Sequence, residues 1–209
     1  MIPHRTPFFL PFIYPTLTWR IKSNDKKLYL TFDDGPMPGP TDFVLKELAA
    51  RSAKGTFFCI GDNVAKHQSM LQSIFSEGHA VGNHTYNHLN GWRSSDETYL
   101  QNIEKCADVL ASKVSLTERP LFRPPYGRIR LSQIRKLTGF NIIMWDVLTH
   151  DYDGTLDGQV VLKKSIKATR SGSIIVFHDS LKAEKNLRYA LPRFLDHFAD
   201  LGYEFCSIP

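Results

Sequence analysis

Short strand-like runs alternate with helix-period segments about seven times along this chain, and that alternation limits the fold more than any other feature. The strands read as Leu28, Leu30 and Phe32 leading into Asp33, then residues 55–60, 79–83, 121–123, 141–145, 173–177 and 203–207. Helical periodicity spans 40–51, 63–77, 131–137, 159–169 and 187–201, and the sequence Ser94-Ser95-Asp96-Glu97 reads as a capping box opening a helix to about Ser112. No linker, repeat or low-complexity tract interrupts the series. Such a chain predicts a parallel sheet, open or closed into a barrel. In both architectures ligands bind beyond the carboxyl ends of the strands, so what stands at those ends decides the chemistry.

The 209 residues suit one domain with a substantial core. A net charge of +5 fits an anionic glycan but demands no partner. Lys163, Lys164, Lys167 and Arg170 share a helical face, and a stripe of that size reads as solvated surface. No aromatic interleaving points to nucleic acid. Cys59, Cys106 and Cys206 are too few and too scattered for a metal knuckle, and Cys59 reads as a small core residue. The first nineteen residues are apolar but carry Pro3, Pro7, Pro11 and Pro15, which rules out a continuous transmembrane helix. They are expected as an extended arm, residues 1–25, packed on a domain of residues 26–209. Without a small-residue cleavage pattern the chain reads as cytoplasmic, with an exported mature form as the alternative. Oligomeric state is not legible.

The first strand ends in Asp33-Asp34-Gly35-Pro36. Side chains alternate along a strand, so the two carboxylates share a direction only if the backbone bends between them. Later strand ends carry His84-Thr85-Tyr86-Asn87-His88, Arg123-Pro124-Pro125-Tyr126-Gly127, Asp146 with His150-Asp151-Tyr152, and His178-Asp179. Each alone has a plain structural reading, as a turn, a surface histidine or a salt bridge; their convergence on one face is harder to explain that way. His84 and His88, at i, i+4, share a face if they lie on a helical turn. With Asp33 or Asp34 they make a two-histidine, one-carboxylate set, which suits zinc and also iron or cobalt. An open position on such an ion admits water and raises its acidity. The aspartate not used as a ligand stands ready as a general base, His178 as a proton donor, and Arg123 as a two-point carboxylate clamp backed by Pro124-Pro125.

Thr31-Phe32-Asp33-Asp34-Gly35-Pro36, His84-Thr85-Tyr86-Asn87-His88, Arg123-Pro124-Pro125-Tyr126 and Val176-Phe177-His178 together resemble the successive motifs of the polysaccharide deacetylases, carbohydrate esterase family 4. The resemblance runs from about Lys27 to the last residue. It implies a distorted (β/α)7-type barrel that hydrolyses N-acetyl groups from N-acetylglucosamine-containing glycans, such as chitin oligomers or peptidoglycan. It further implies Asp33 as base, Asp34, His84 and His88 as metal ligands, Thr85 as a brace of the histidine turn, and Arg123 as the residue orienting Asp33. The backbone N–H of Tyr126 would face the oxyanion, His178 would be the acid, and Pro125 would line the substrate pocket. Zinc is the expected ion, with cobalt, nickel and iron as alternatives. Two departures stand out. The family's Asp-Trp pair is here Asp151-Tyr152, altering an aromatic wall; Asp151 is expected to orient His178, with Asp146 competing. Val176 replaces the usual leucine in the pocket for the acetyl methyl, a loss of contact on the order of 1 kcal/mol.

Three rivals share some of these features. An O-acetyl esterase acting on xylan uses the same chemistry. A catalytically inactive glycan-binding homologue predicts a broken motif, whereas every catalytic residue type is present. Phosphoryl transfer through an aspartate nucleophile needs a second acid two residues after the first, where this chain has Gly35.

Overall fold

In the strand that opens the alternating pattern, β1 (Lys27–Asp33), Leu28, Leu30 and Phe32 lie on one face and Tyr29, Thr31 and Asp33 on the other. That strand is the centre of the sheet in the computed structural model, which describes residues 3–22 and 25–209. The remaining strands are β2 (Thr56–Cys59), β3 (Ala80–Asn83), β4 (Leu121–Phe122), β5 (Asn141–Ile142), β6 (Val147–Leu148), β7 (Ile174–His178) and β8 (Glu204–Cys206). All pair in parallel, in the order β5-β4-β3-β2-β1-β7-β6, with β8 beside the first half of β1. The sheet curls into the expected distorted barrel, left open because β5 and β6 do not pair with each other among the described residues.

The outer face of the sheet is covered by helices. Leu28, Leu30 and Phe32 join Phe57, Cys59, Ile175 and Phe177 in the largest apolar cluster. It also takes Val44, Leu45 and Leu48 from α2 (Pro40–Ala49) and Leu187, Leu191 and Phe194 from α8 (Glu184–Asp200). A second cluster joins Tyr99 and Ile103 of α5 (Asp96–Ala111) to Phe122, Ile142 and Met144. The helix expected over 63–77 is broken at His67 (φ −128°, ψ 52°) into α3 (Gly61–Lys66) and α4 (Gln68–Ser76), which bury Val64, Leu71 and Ile74. Two further helices, α6 (Leu131–Lys136) and α7 (Gly158–Ala168), fall close to their expected places.

The strand expected over 141–145 departs more. It stops after Ile142, and a second short strand, β6, begins at Val147. The carbonyls of Ile143 and Met144, freed from sheet pairing, accept hydrogen bonds from the buried Arg123 side chain at 3.2 and 2.9 Å. A continuous strand would hold those oxygens in a ladder instead.

Of the N-terminal segment, residues 1–2 and 23–24 lie outside the described residues. The rest is not fully extended: it contains one helical turn, α1 (Leu10–Ile13), with Pro11 among its first residues, where a missing N–H costs nothing. Leu10, Tyr14, Leu17 and Trp19 pack on the second cluster. Thr18 N–H donates to Ile142 O and Met144 N–H to Thr18 O, while Leu148 N–H donates to His4 O and Thr6 N–H to Asp146 O. The segment thus lies along both edges of the open sheet. None of the described helices is long and apolar enough to cross a membrane.

Phe32, fully buried, stacks between Phe57 (ring centroids 5.0 Å) and Phe177 (6.3 Å). Phe32→Ala is expected to lower the unfolding free energy by about 3–5 kcal/mol in denaturant titration, through lost contact and the cavity left between two rings.

Candidate active site

The opposite face of β1 sets the site. Asp33 and His178 are register partners on β1 and β7, so both side chains leave the sheet in the same direction at its carboxyl end. Asp34 follows with φ +81°, the bend required for both carboxylates to serve one site. His84 Nε2 stands 4.0 Å from Asp33 Oδ2 and 3.7 Å from Asp34 Oδ1, and His88 Nε2 is 3.2 Å from Asp34 Oδ1.

The histidines do not lie on a helix. Residues 84–90 form an irregular turn with Thr85 at φ +63° and His88 at +57°. Side chains replace the missing helical bonds: Asn83 Oδ1 accepts from Thr85 N–H (2.8 Å), Asn102 Oδ1 from Tyr86 N–H (2.8 Å), and Thr85 Oγ1 from Leu89 N–H (2.9 Å). His84 Nδ1–H donates to Arg123 O (2.8 Å), which turns Nε2 toward the aspartates.

Donor atoms of Asp34, His84 and His88 all lie within 4.8 Å of one another. Asp34 Oδ1 is buried and accepts no hydrogen bond. Burial, with His84 close by, lowers the His88 pKa to about 4, leaving the neutral imidazole that coordinates a metal. Two imidazoles, one carboxylate oxygen otherwise unpartnered and open directions beside them fit a divalent cation.

Asp33 is held apart from that set. Arg123 Nη1 donates to Asp33 Oδ1 and to Thr31 Oγ1, both at 2.7 Å, and the guanidinium stacks 4.1 Å from the centre of the Phe58 ring. Burial alone pushes the Asp33 carboxyl up, but Arg123, His84 and His178 outweigh it and hold the pKa below the usual carboxylate range. On the far side, Asp151 Oδ1 accepts from His178 Nδ1–H at 2.7 Å and Asp151 Oδ2 from His178 N–H at 2.8 Å. Burial lowers the His178 pKa, yet Asp151 dominates and raises it to about 9. Asp146, the competing partner, lies elsewhere, bound to Ser173 Oγ (2.7 Å) and Arg170.

Tyr152 meets the His178 ring edge-on, centroids 4.9 Å apart. Val176 is buried two residues before His178, and Pro125 is buried beside Tyr126. Tyr126 takes φ +61°; the two hydrogen bonds of its turn run from Gly127 N–H to Pro124 O and from Arg128 N–H to Pro125 O, and its own N–H enters neither.

Some supporting residues were not singled out by the motifs. Asp179 accepts from Gly35 N–H (3.0 Å) and Thr41 Oγ1–H (2.6 Å), pinning the turn behind Asp34 from the next strand. Asn63 Nδ2–H donates to Asp34 O (2.8 Å) from α3. Asp179 stands among the strand-end residues named from the sequence, but only as the neighbour of His178 and without this role; Thr41 and Asn63 are ordinary helix-start residues and carry no signal.

Three N/O donors around one point, a carboxylate beside them and a protonated imidazole opposite form the constellation of a metal-assisted hydrolase. Comparison with known proteins is specific. The family model described as polysaccharide deacetylase matches residues 20–142. A peptidoglycan-N-acetylglucosamine deacetylase of Bacillus cereus is 33% identical over 199 residues, 92% of this chain and 91% of its own. A chitooligosaccharide deacetylase of Azorhizobium caulinodans is 32% identical over 165 residues, 77% of each. A crystal structure of a peptidoglycan N-acetylglucosamine deacetylase, bound to an N-hydroxybenzamide derivative, superposes with a TM-score of 0.89 at 28% identity, covering 98% of this chain and 95% of that one. The chain belongs to the polysaccharide deacetylase family and is a deacetylase.

Because the folded protein keeps the His178 proton to about pH 9 while the unfolded chain releases it near 6.5, the ion pair with Asp151 stabilises fully below pH 6.5 and is lost as pH rises through 9. The contribution is on the order of 3 kcal/mol. Denaturant unfolding of metal-free protein on either side of that window is expected to show the loss in the wild type and a much smaller one in Asp151→Asn.

Proposed function

We propose that this protein removes N-acetyl groups from N-acetylglucosamine units of a glycan of the peptidoglycan or chitin-oligomer class, within a catalytic unit of residues 26–209 that the 1–25 segment borders. The observation that carries the reading is the division of the acidic pair: Asp34 faces two imidazoles, while Asp33 is held beside them by a buried arginine. Relatives named for both glycan types support the substrate class.

Asp34, His84 and His88 are the residues to hold the cation, zinc by preference of this donor set, with cobalt, nickel or iron as alternatives. A cation held there would supply Lewis acidity, polarising the acetyl carbonyl and raising the acidity of a nearby water. Asp33, kept ionised by Arg123, accepts the proton of the attacking water. The Tyr126 N–H donates to the oxygen on which charge builds. His178, charged through Asp151, passes its proton to the departing amine nitrogen, releasing a free sugar amine and acetate. Tyr152, Val176 and Pro125 close the space around the acetyl group.

Roles divided in this way separate under mutation. Asp33→Asn is expected to retain metal by elemental analysis yet lose roughly 100-fold or more in kcat, whereas His88→Ala loses the metal itself. Full activity in Asp33→Asn would remove Asp33 as the base. Acetate release is expected from peptidoglycan fragments or N-acetylglucosamine oligomers and not from acetylated xylan; release from xylan alone would replace the amidase reading with an esterase.

A further inference from the structure

Two large aromatic side chains are exposed on the segments that follow the site's histidine turn and its buried arginine. Tyr126, 57% exposed, lies against the His88 ring with centroids 4.5 Å apart, and Trp92 is 56% exposed. Both rings reach one arginine, which sets them apart from the chain's other exposed apolar side chains. Neither is loosely placed. Asn90 Oδ1 accepts from Trp92 N–H (3.0 Å), the Trp92 indole N–H donates to Ile129 O (3.1 Å), and Arg130 Nη2–H donates to Trp92 O (2.7 Å). Gly91 sits so near the neighbouring loop that a Cβ there would come 2.6 Å from Arg128 O, so the 90–93 and 128–130 backbones are in direct contact.

Arg128 is within reach of both rings, its Cζ 5.4 Å from the Trp92 centroid and 6.0 Å from that of Tyr126. Unlike Arg123, paired with Asp33, and Arg130, spent on Trp92 O, the Arg128 guanidinium has no hydrogen bond or ion pair among the described residues. It is half-buried, and its contacts with the two rings leave its donors unspent.

We propose that Trp92, Tyr126 and Arg128 form a sugar-binding ledge leading away from His88, and that Arg128 binds a carboxylate of the glycan. The inference rests on the glycan-deacetylase reading above and narrows it to acid-bearing chains. Flat aromatic faces suit the apolar C–H faces of a pyranose, and a guanidinium fork suits a carboxylate at two points. Muramic acid units and their stem peptides carry such carboxylates, whereas chitin oligomers carry none. The ledge therefore selects peptidoglycan-type chains over neutral ones, and it does so by affinity, since Arg128 touches no reacting atom.

The test is calorimetric binding of the metal-loaded protein to a muramic-acid-containing tetrasaccharide, with its carboxyls free or amidated. The wild type is expected to bind the free acid roughly tenfold more tightly than the amide. In Arg128→Gln that ratio falls to near one; Arg128→Lys, which keeps the charge but not the fork, falls between. Trp92→Ala weakens both ligands to the same extent. A wild-type ratio near one, or a ratio unchanged in Arg128→Gln, overturns the proposal. Acetate release is read in the same samples: its absence from every glycan would remove the deacetylation reading alone, while the binding ratio still decides the role of Arg128.

Discussion

A guanidinium with no access to water holds this molecule's active end together. Arg123 leaves the end of β4 and binds Thr31 and Asp33 on β1 and the carbonyls of Ile143 and Met144 beyond β5. Its own carbonyl fixes the tautomer of His84. One residue thereby ties the middle of the sheet to its edge and to the turn that carries His84 and His88. A buried charge pair of this kind is weak as a source of net stability, because desolvation offsets much of the attraction. Its value is geometric: with four of its five donors engaged, the guanidinium is fixed and holds Asp33 in one orientation and ionised.

The second constraint is backbone conformation. Asp34, Thr85, His88, Tyr126 and His150 take positive φ, and all stand at or beside the site. Thr85 is the most unusual, since a branched side chain rarely tolerates that region. The hydrogen bonds of Asn83 and Asn102, with that of the Thr85 hydroxyl itself, hold the turn where propensity would not. Conformations of this cost, about 1–3 kcal/mol each, persist where surrounding structure over-determines them.

This contrast explains what could be read from the sequence. The curled parallel sheet was legible because β1, β2 and β7 carry clear apolar patterns, and the gathering of Asp33, Asp34, His84, His88, Arg123 and His178 followed from their places at strand ends. Less could be seen where tertiary contacts override local pattern. The 141–145 run reads as a strand, but Arg123 takes its carbonyls. The i, i+4 spacing of His84 and His88 suggests a helix, but the two rings converge through positive φ. Asp179 and Asn63 brace the acidic turn from a neighbouring strand end and a helix; the place of Asp179 at a strand end was legible but its bond to the turn was not, and nothing marked Asn63.

The N-terminal segment lies against residues 142–148, and β1 pairs with strands that follow residue 173. During synthesis both early elements emerge long before the partners they need. Contacts of such sequence separation close late and slowly, so a nascent chain carries its central strand unpaired on one side until residues 174–206 have been made. A protein built this way leans on helix-side collapse, and on whatever shields apolar strands in the cell, to reach its native state.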